Sequence, residues 1–497
     1  MEPINQLEQQ PPLSPQSNDF RKRIILTIGT VLALVIVVGL IYWIKQKPPV
    51  FPISDSIWSQ FGFDPQSSGQ APYRGPQTNR SKWVYKLGST NCHYQTQVTA
   101  PVLDKDGNLY FGTSEGSFIS LDPKMNKRWE YKLLDAYARN TCPENNGYDN
   151  GIVGGIADYN ISSDPVFINS GLVVFGTSGI KNSKKIYTLD LTGQLKWMYT
   201  VNGPLESAIK LGLNGQIYFA TPTTLYILDV ASKNAKTYPL VTKGNTPAIG
   251  KDGTVYACSA DGLVALTSEL KLKWIFSQVK NLRYCSPAID PKSGVIYFTY
   301  KNGATNEYKL YALNNDGSLK WKTDIYWSES APAVASDGTI YVSTTDLSVD
   351  TKNHNYQTRG SGEIIALNPD GSKKWSYNVK PILRCKKGQE ADCLNIDVWQ
   401  SATAIDASPT IANDGTIYFG SDGKRYFALN PDGTEKWIFD GGDEWDNRAV
   451  ISNDETLYVG PEGAFQGGLY AFSDSGTSHL PPDDEPKQNN SSEPGGR

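Results

Sequence analysis

Methionine and histidine are scarce in this 497-residue chain, with three of each. His93, His354 and His479 are scattered and no CxxC pair accompanies them, so the usual zinc-site spacings are excluded. No Cys-Cys dipeptide and no CxxCH run occur, which excludes attached c-type haem. Neither charge sign prevails: 47 Lys and Arg stand against 51 Asp and Glu. Without a basic field, and with no Lys/Arg-rich run beyond Arg21–Arg23, a nucleic-acid partner is excluded on electrostatic grounds. Long apolar runs are missing too, with one exception.

That exception is residues 24–44, IILTIGTVLALVIVVGLIYWI, which carry no charge. As a helix they would span about 31 Å, the thickness of a hydrocarbon core. The run is longer than the apolar stretch of a cleaved leader and ends in Tyr42, Trp43 and Lys45, so it reads as an uncleaved anchor. Arg21, Lys22 and Arg23 before it, against Lys45 and Lys47 after it, bias the N-terminus slightly toward the cytoplasm. All six cysteines follow the run, and an even number on one side fits an oxidising compartment. The expectation is a single-pass membrane protein with its large part extracytoplasmic.

What is abundant points to strands. Gly 45, Pro 30, Tyr 28, Phe 16 and Trp 12 favour short strands and tight turns. The segment 407–439, ASPTIANDGTIYFGSDGKRYFALNPDGTEKWIF, reads as four strands, with Asn413-Asp414-Gly415 turning between the first two and Pro431-Asp432-Gly433 between the last two. The same grammar opens at Ala100, Asp164, Glu206, Thr246, Ser286, Ala331 and Arg448. The last copy lacks its fourth strand, whereas SKWVYK at 81–86 is a fourth strand with no predecessors. Joining the two closes a ring of eight four-stranded antiparallel blades with no unfinished edge. The expected fold is therefore all-β, an eight-bladed β-propeller closed by its N-terminal strand, plus one transmembrane helix. The boundaries follow: a disordered tail at 1–23, the anchor at 24–44, a linker and lead-in at 45–76, the propeller at 77–473 and a disordered tail at 474–497.

The DGTIYFGS strand, the ALNPDG turn and tryptophans at Trp83, Trp129, Trp197, Trp274, Trp321, Trp375 and Trp437 resemble the pyrroloquinoline-quinone-like (PQQ-like, quinoprotein-like) propeller superfamily over about residues 58–473. The lead-in WSQFGFDPQSSGQAPYRGP at 58–76 is similar to the one common in such proteins. The resemblance implies that each tryptophan packs on the neighbouring blade and ties the blades together. It also admits several functions, since the superfamily includes quinoprotein alcohol dehydrogenases, envelope-assembly scaffolds and sensors. Its dehydrogenases resemble one another in an adjacent cysteine pair beside the quinone and in a carboxylate and amide set for calcium near a catalytic aspartate. Neither set is found here, so no catalytic residue, metal or cofactor is expected, with PQQ and calcium kept as the enzymatic alternative. The chain is distantly similar to the propeller lipoprotein of the barrel-assembly machinery, but its first cysteine, Cys92, lies far from the anchor. The remaining alternative is a cell-surface sensor or adhesin.

Sorting the links by blade face locates a candidate working surface. Links between strands one and two and between three and four are nearly all minimal, while the expansions at 132–160, 179–185, 301–308, 345–361 and 378–406 all fall on the opposite face. The cysteines map there too, with Cys92–Cys142, Cys258–Cys285 and Cys385–Cys393 as the preferred pairs. Residues just ahead of each first strand should ring the channel mouth on that face. They give an acidic and aromatic rim of Asp164, Glu206, Glu329, Asp406, Trp445 and Asp446, with Trp327 and Trp399 nearby, suited to a cation, a basic peptide or a sugar. The expected function is a non-catalytic binding or scaffold module for a protein or cell-surface ligand.

Overall fold

Alternating apolar residues between Asp-Gly turns form the strands because one turn sets the register of each hairpin. The computed structural model describes residues 56–476 except 88–96, 134–160, 162, 169–170, 179–183, 206, 213–214, 243–244, 283–284, 303–306, 347–360, 381–403, 442–444, 446 and 462–467. The chain divides into a unit at 1–51, outside the described residues together with the expected anchor, and a unit from Pro52 onward. Among the described residues no helix is long and apolar enough to cross a membrane.

Eight separate four-stranded antiparallel sheets make up the ring. Seven are built from consecutive strands, and the eighth takes Ser81–Lys86 as its outer strand beside Gly468–Phe472. The closure expected from the unmatched Lys-Trp strand is the one observed.

Blade 7 shows how the repeat works. Its strands are Thr410–Ile411, Ile417–Ser421, Arg425–Leu429 and Glu435–Asp440, from the channel outward. The inner strand is shorter than the expected 409–412, since Pro409 has no N–H and Ala412 turns to bond Thr416. A bulge between Ala428 and Leu429 sets the small Ala428 opposite Trp437. The Tyr418 ring sits 5.7 Å from that indole.

Between blades the tryptophans do what the resemblance implies. Trp129, Trp274, Trp321 and Trp375 each donate Nε1–H to a carbonyl of the next blade's outer turn, at Leu191, Asn315, Pro369 and Pro431. Gly433 explains the turn sequence: its φ is +84° and a Cβ there would lie 2.6 Å from the Trp375 ring, so only glycine permits this approach. Trp437 has no such turn ahead of it because blade 8 is split between the termini. It donates to Pro76 at 3.1 Å, so the lead-in stands in for the missing turn. Trp83, at the closing strand, is 42% exposed and does less as a joint. The buried apolar clusters lie between adjacent blades, and that at the seam gathers Ile57, Trp58 and Ala71 of the lead-in with residues of blades 7, 8 and 1.

Candidate functional site

The lead-in, assigned from sequence as a linker, runs inside the ring. Inner strands present one N–H per blade to the channel, and these need acceptors once buried. Leu103 bonds Trp58 O, Phe167 bonds Ser59 O and Leu211 bonds Gln60 Oε1. Ile249 then bonds Pro65 O, Ile289 bonds Gln66 O, Val334 bonds Ser68 O and Ile411 bonds Gly69 O. Seven blades are thus visited in order by residues 58–69. The segment then leaves past the blade 7 hairpin, where Asn413 N bonds Tyr73 O, and reaches the rim at Pro76.

Residues 60–69 hold their own shape. Gly69 N bonds Gly62 O, and the Asp64 carboxylate accepts from Ser68 N at 2.9 Å and Ser68 Oγ at 2.6 Å. Lys210, on the blade 3 inner strand, donates to the carbonyls of Phe61 and Asp64. Burial draws its ammonium down to about 7, against the pull of Asp64. Burial likewise lowers the Arg448 guanidinium to about 10, so it stays charged at neutral pH. Burial also raises the Asp64 carboxyl.

A second set of four bonds joins positions two residues ahead of neighbouring inner strands. Ala100 N donates to Asp164 Oδ1 at 2.9 Å, Ala208 N to Thr246 Oγ1, Thr246 N to Ser286 Oγ and Ala331 N to Ser408 Oγ. Each side chain caps the preceding blade, which gives the Ser, Thr or Asp before the first strand a structural purpose.

The expected rim residues separate on this background. Asp164, two residues ahead of the blade 2 inner strand, acts as one of these caps. Enclosure pushes its carboxyl up to about 6, opposed by the Ala100 N–H and by the charges of Arg448 and Lys210. Glu329 is half-buried between the buried Ser328 and Ser330, and Asp406 is half-buried ahead of Ala407, whose carbonyl accepts from Ser343. Trp327 is half-buried at the joint of blades 5 and 6, with its carbonyl bonded by Thr345 N and the Lys301 ammonium 5.8 Å from its ring. Trp445 differs from the expectation of an aromatic on the channel-mouth rim: it is fully buried between Gly420, Gly441, Phe439 and Tyr470. A large ring ahead of a blade is there drawn into the apolar seam. Glu206, Asp446 and Trp399 lie outside the described residues, as do Cys92, Cys142, Cys385 and Cys393.

Cys258 and Cys285 form the expected disulfide, with Cα atoms 5.9 Å apart, and both are buried at the joint of blades 4 and 5. The central expanses of the expanded links are outside the described residues, while their stems all emerge on one face of the ring. Sequence reading missed Lys210 and Arg448. The signal was a charged residue at a repeat position otherwise small or apolar.

No family model matches the chain. A stretch of 83 residues is 35% identical to the uncharacterized protein YxaL of Bacillus subtilis (strain 168), covering 15% of this chain and 17% of that protein. The chain therefore spans about a sixth of the length of this relative. Among solved structures, the quinohemoprotein alcohol dehydrogenase of Comamonas testosteroni superposes with a TM-score of 0.62 at 12% identity, over 88% of this chain and 83% of that one. BamB of Moraxella catarrhalis gives 0.50 at 15% identity over 80% and 100%. The C-terminal WD40 domain of Sif2 gives 0.51 at 10% identity over 79% and 98%. By its structure neighbours, the chain shares the propeller fold of the quinohemoprotein alcohol dehydrogenases and BamB, built here as eight blades.

Proposed function

We propose that this protein is a membrane-anchored, extracytoplasmic binding or scaffold module that holds a protein or cell-surface ligand on its expanded face. The observation that carries this reading is the filling of the channel by residues 58–69, bonded to seven inner strands. A ring whose centre is taken by its own backbone has its variable surface at the loops. The contrast of faces supports it, with minimal Asp-Gly hairpins on one side and every expanded link on the other.

The quinone and calcium pair of the family's dehydrogenases fits these residues poorly. The buried carboxylates on the channel side are committed, Asp64 to Ser68 and Asp164 to Ala100. Among the described residues no cluster of three His, Cys, Asp or Glu side chains is placed to hold a metal ion. The one disulfide described joins cysteines far apart in sequence.

Capture of partners from a surface-protein extract by the full chain tests the reading. Capture should disappear when 134–160 and 381–403 are replaced by short Gly-Ser links and survive changes to the Asp-Gly hairpins. Stoichiometric quinone uptake with alcohol-dependent dye reduction would replace this reading with the enzymatic one. Protease added to spheroplasts should digest the propeller, and full protection would overturn the extracytoplasmic placement.

A further inference from the structure

The positions two residues ahead of the eight inner strands are Ala100, Asp164, Ala208, Thr246, Ser286, Ala331, Ser408 and Arg448. Seven carry a small residue or a short cap, and one carries the longest cation available. A local rule broken at one position of a repeat marks a specific task.

Arg448 is 3% exposed, yet its Nε, Nη1 and Nη2 have no hydrogen-bond partner. The guanidinium lies over the Phe61 ring, 4.7 Å from its centroid. The lead-in presses against it through backbone: a Cβ on Gly62 would come within 2.8 Å of Nη1, and one on Gly69 within 3.3 Å of Nη2. Both glycines have positive φ, so the lead-in is shaped to leave the guanidinium its place. The neighbouring charges are occupied elsewhere. Asp64 is held by Ser68, Asp164 receives the Ala100 N–H, and Lys210 is spent on the carbonyls of Phe61 and Asp64. These carboxylates balance Arg448 through space without bonding it. A stacked ring satisfies none of the five N–H donors, and donors buried in this way call for an acceptor.

We propose that Arg448 is a carboxylate-receiving site at the centre of the ring, taking one monoanionic carboxylate group of the ligand. The guanidinium fork matches the two oxygens of a carboxylate. Arg448 and Lys210 are already balanced by Asp64 and Asp164, so a dianion such as sulfate meets two nearby negative charges and is disfavoured. Arg448 ends the link that enters blade 8, which places it beneath the expanded face. The inference rests on that face being the binding surface.

The test uses the full chain in mild detergent, titrated with sodium acetate, with the peptide Ac-Gly-Glu-Gly-NH2, with its Gln counterpart and with sodium sulfate, reading Tm and calorimetric heat. Acetate and the Glu peptide should bind saturably, and sulfate and the Gln peptide should not. Arg448→Lys should weaken binding at least tenfold and Arg448→Met should abolish it; the circular dichroism of both variants checks folding. Binding of acetate without the Glu peptide supports the site and limits it to free small carboxylates. No saturable binding, equal binding by sulfate, or unchanged binding in a folded Arg448→Lys protein overturns the proposal. The link-shortened protein separates the two readings: loss of partner capture there, with no acetate binding in wild type, would sink this inference alone. Acetate binding at Arg448 with no dependence of capture on the links would sink the face reading alone.

Discussion

The outer rim and the inner wall of this ring join the same eight blades by different means. At the rim four joints are built from the repeat itself, a tryptophan of one blade donating to the outer turn of the next, as Trp375 does to Pro431. At the wall, beside side-chain caps such as Asp164 on Ala100, the inner strands are tied by a segment that precedes the repeats and is used once, residues 58–69 visiting seven of them. Rim joints are modular, so the loss of one leaves the others standing. The wall is a single thread, and its bonds form or fail together.

Removing residues 57–76 breaks the comparison at its strongest point. Seven buried N–H groups lose their acceptors. At about 1–3 kcal/mol each, the loss is comparable with the whole stability of a folded domain, about 5–15 kcal/mol. The expected result is an insoluble or molten chain, judged by soluble yield and near-ultraviolet dichroism. A cooperative melt at the wild-type temperature would mean that the rim alone carries the ring.

The joint of blades 4 and 5 has a third device, the Cys258–Cys285 bridge across 27 residues of sequence. Its replacement by two alanines should cost about 3 kcal/mol in urea unfolding. Reductant should destabilise the wild type by a similar amount and leave the variant unmoved; equal stability would show that the joint is held by its packing alone.

Two glycines sharpen the rim side. Gly433→Val meets both a φ of +84° and the Trp375 ring, and should cost about 3 kcal/mol. Gly294→Ala, with φ of +73° and nothing within 4 Å, should cost only about 1 kcal/mol. Equal effects in denaturant titration would assign the glycine requirement to backbone conformation, with no part for the tryptophan joint.

The smallest effect concerns the cap at the wall. The Asp164 carboxyl is raised from 3.8 to about 6 by burial, so the folded protein holds a proton that the unfolded chain releases. This contribution to stability is present below 3.8 and is lost as pH rises through about 6. Asp164→Asn, which keeps an oxygen for the Ala100 N–H, should flatten the fall in Tm across that window. An unchanged pH profile would place the proton elsewhere in the cluster of Asp64, Lys210 and Arg448.

Much of the rim was legible because its physics is local. Asp-Gly turns, the Ala-Leu pair before them and the tryptophan after them recur at fixed spacing, and the unmatched SKWVYK strand identified the seam. The wall was less legible. Ser or Thr before a first strand reads as an ordinary loop residue until the next blade's N–H is seen bonding it, as at Ser408. The position of Trp445 in the repeat suggests the channel mouth, whereas the seam has the apolar volume to take it in.

Sequence by itself determined the number of blades, their strand order, the seam and the face that carries the long links, since each follows from a period or a turn that a few neighbouring residues specify. Tertiary structure decided what fills the channel and which charges meet there. Phe61, Asp64, Asp164, Lys210 and Arg448 are separated by up to hundreds of residues, and only closure of the ring sets their distances. Burial, acting on that meeting, moves the Asp164 and Lys210 proton equilibria toward neutrality and leaves the Arg448 donors in need of a partner.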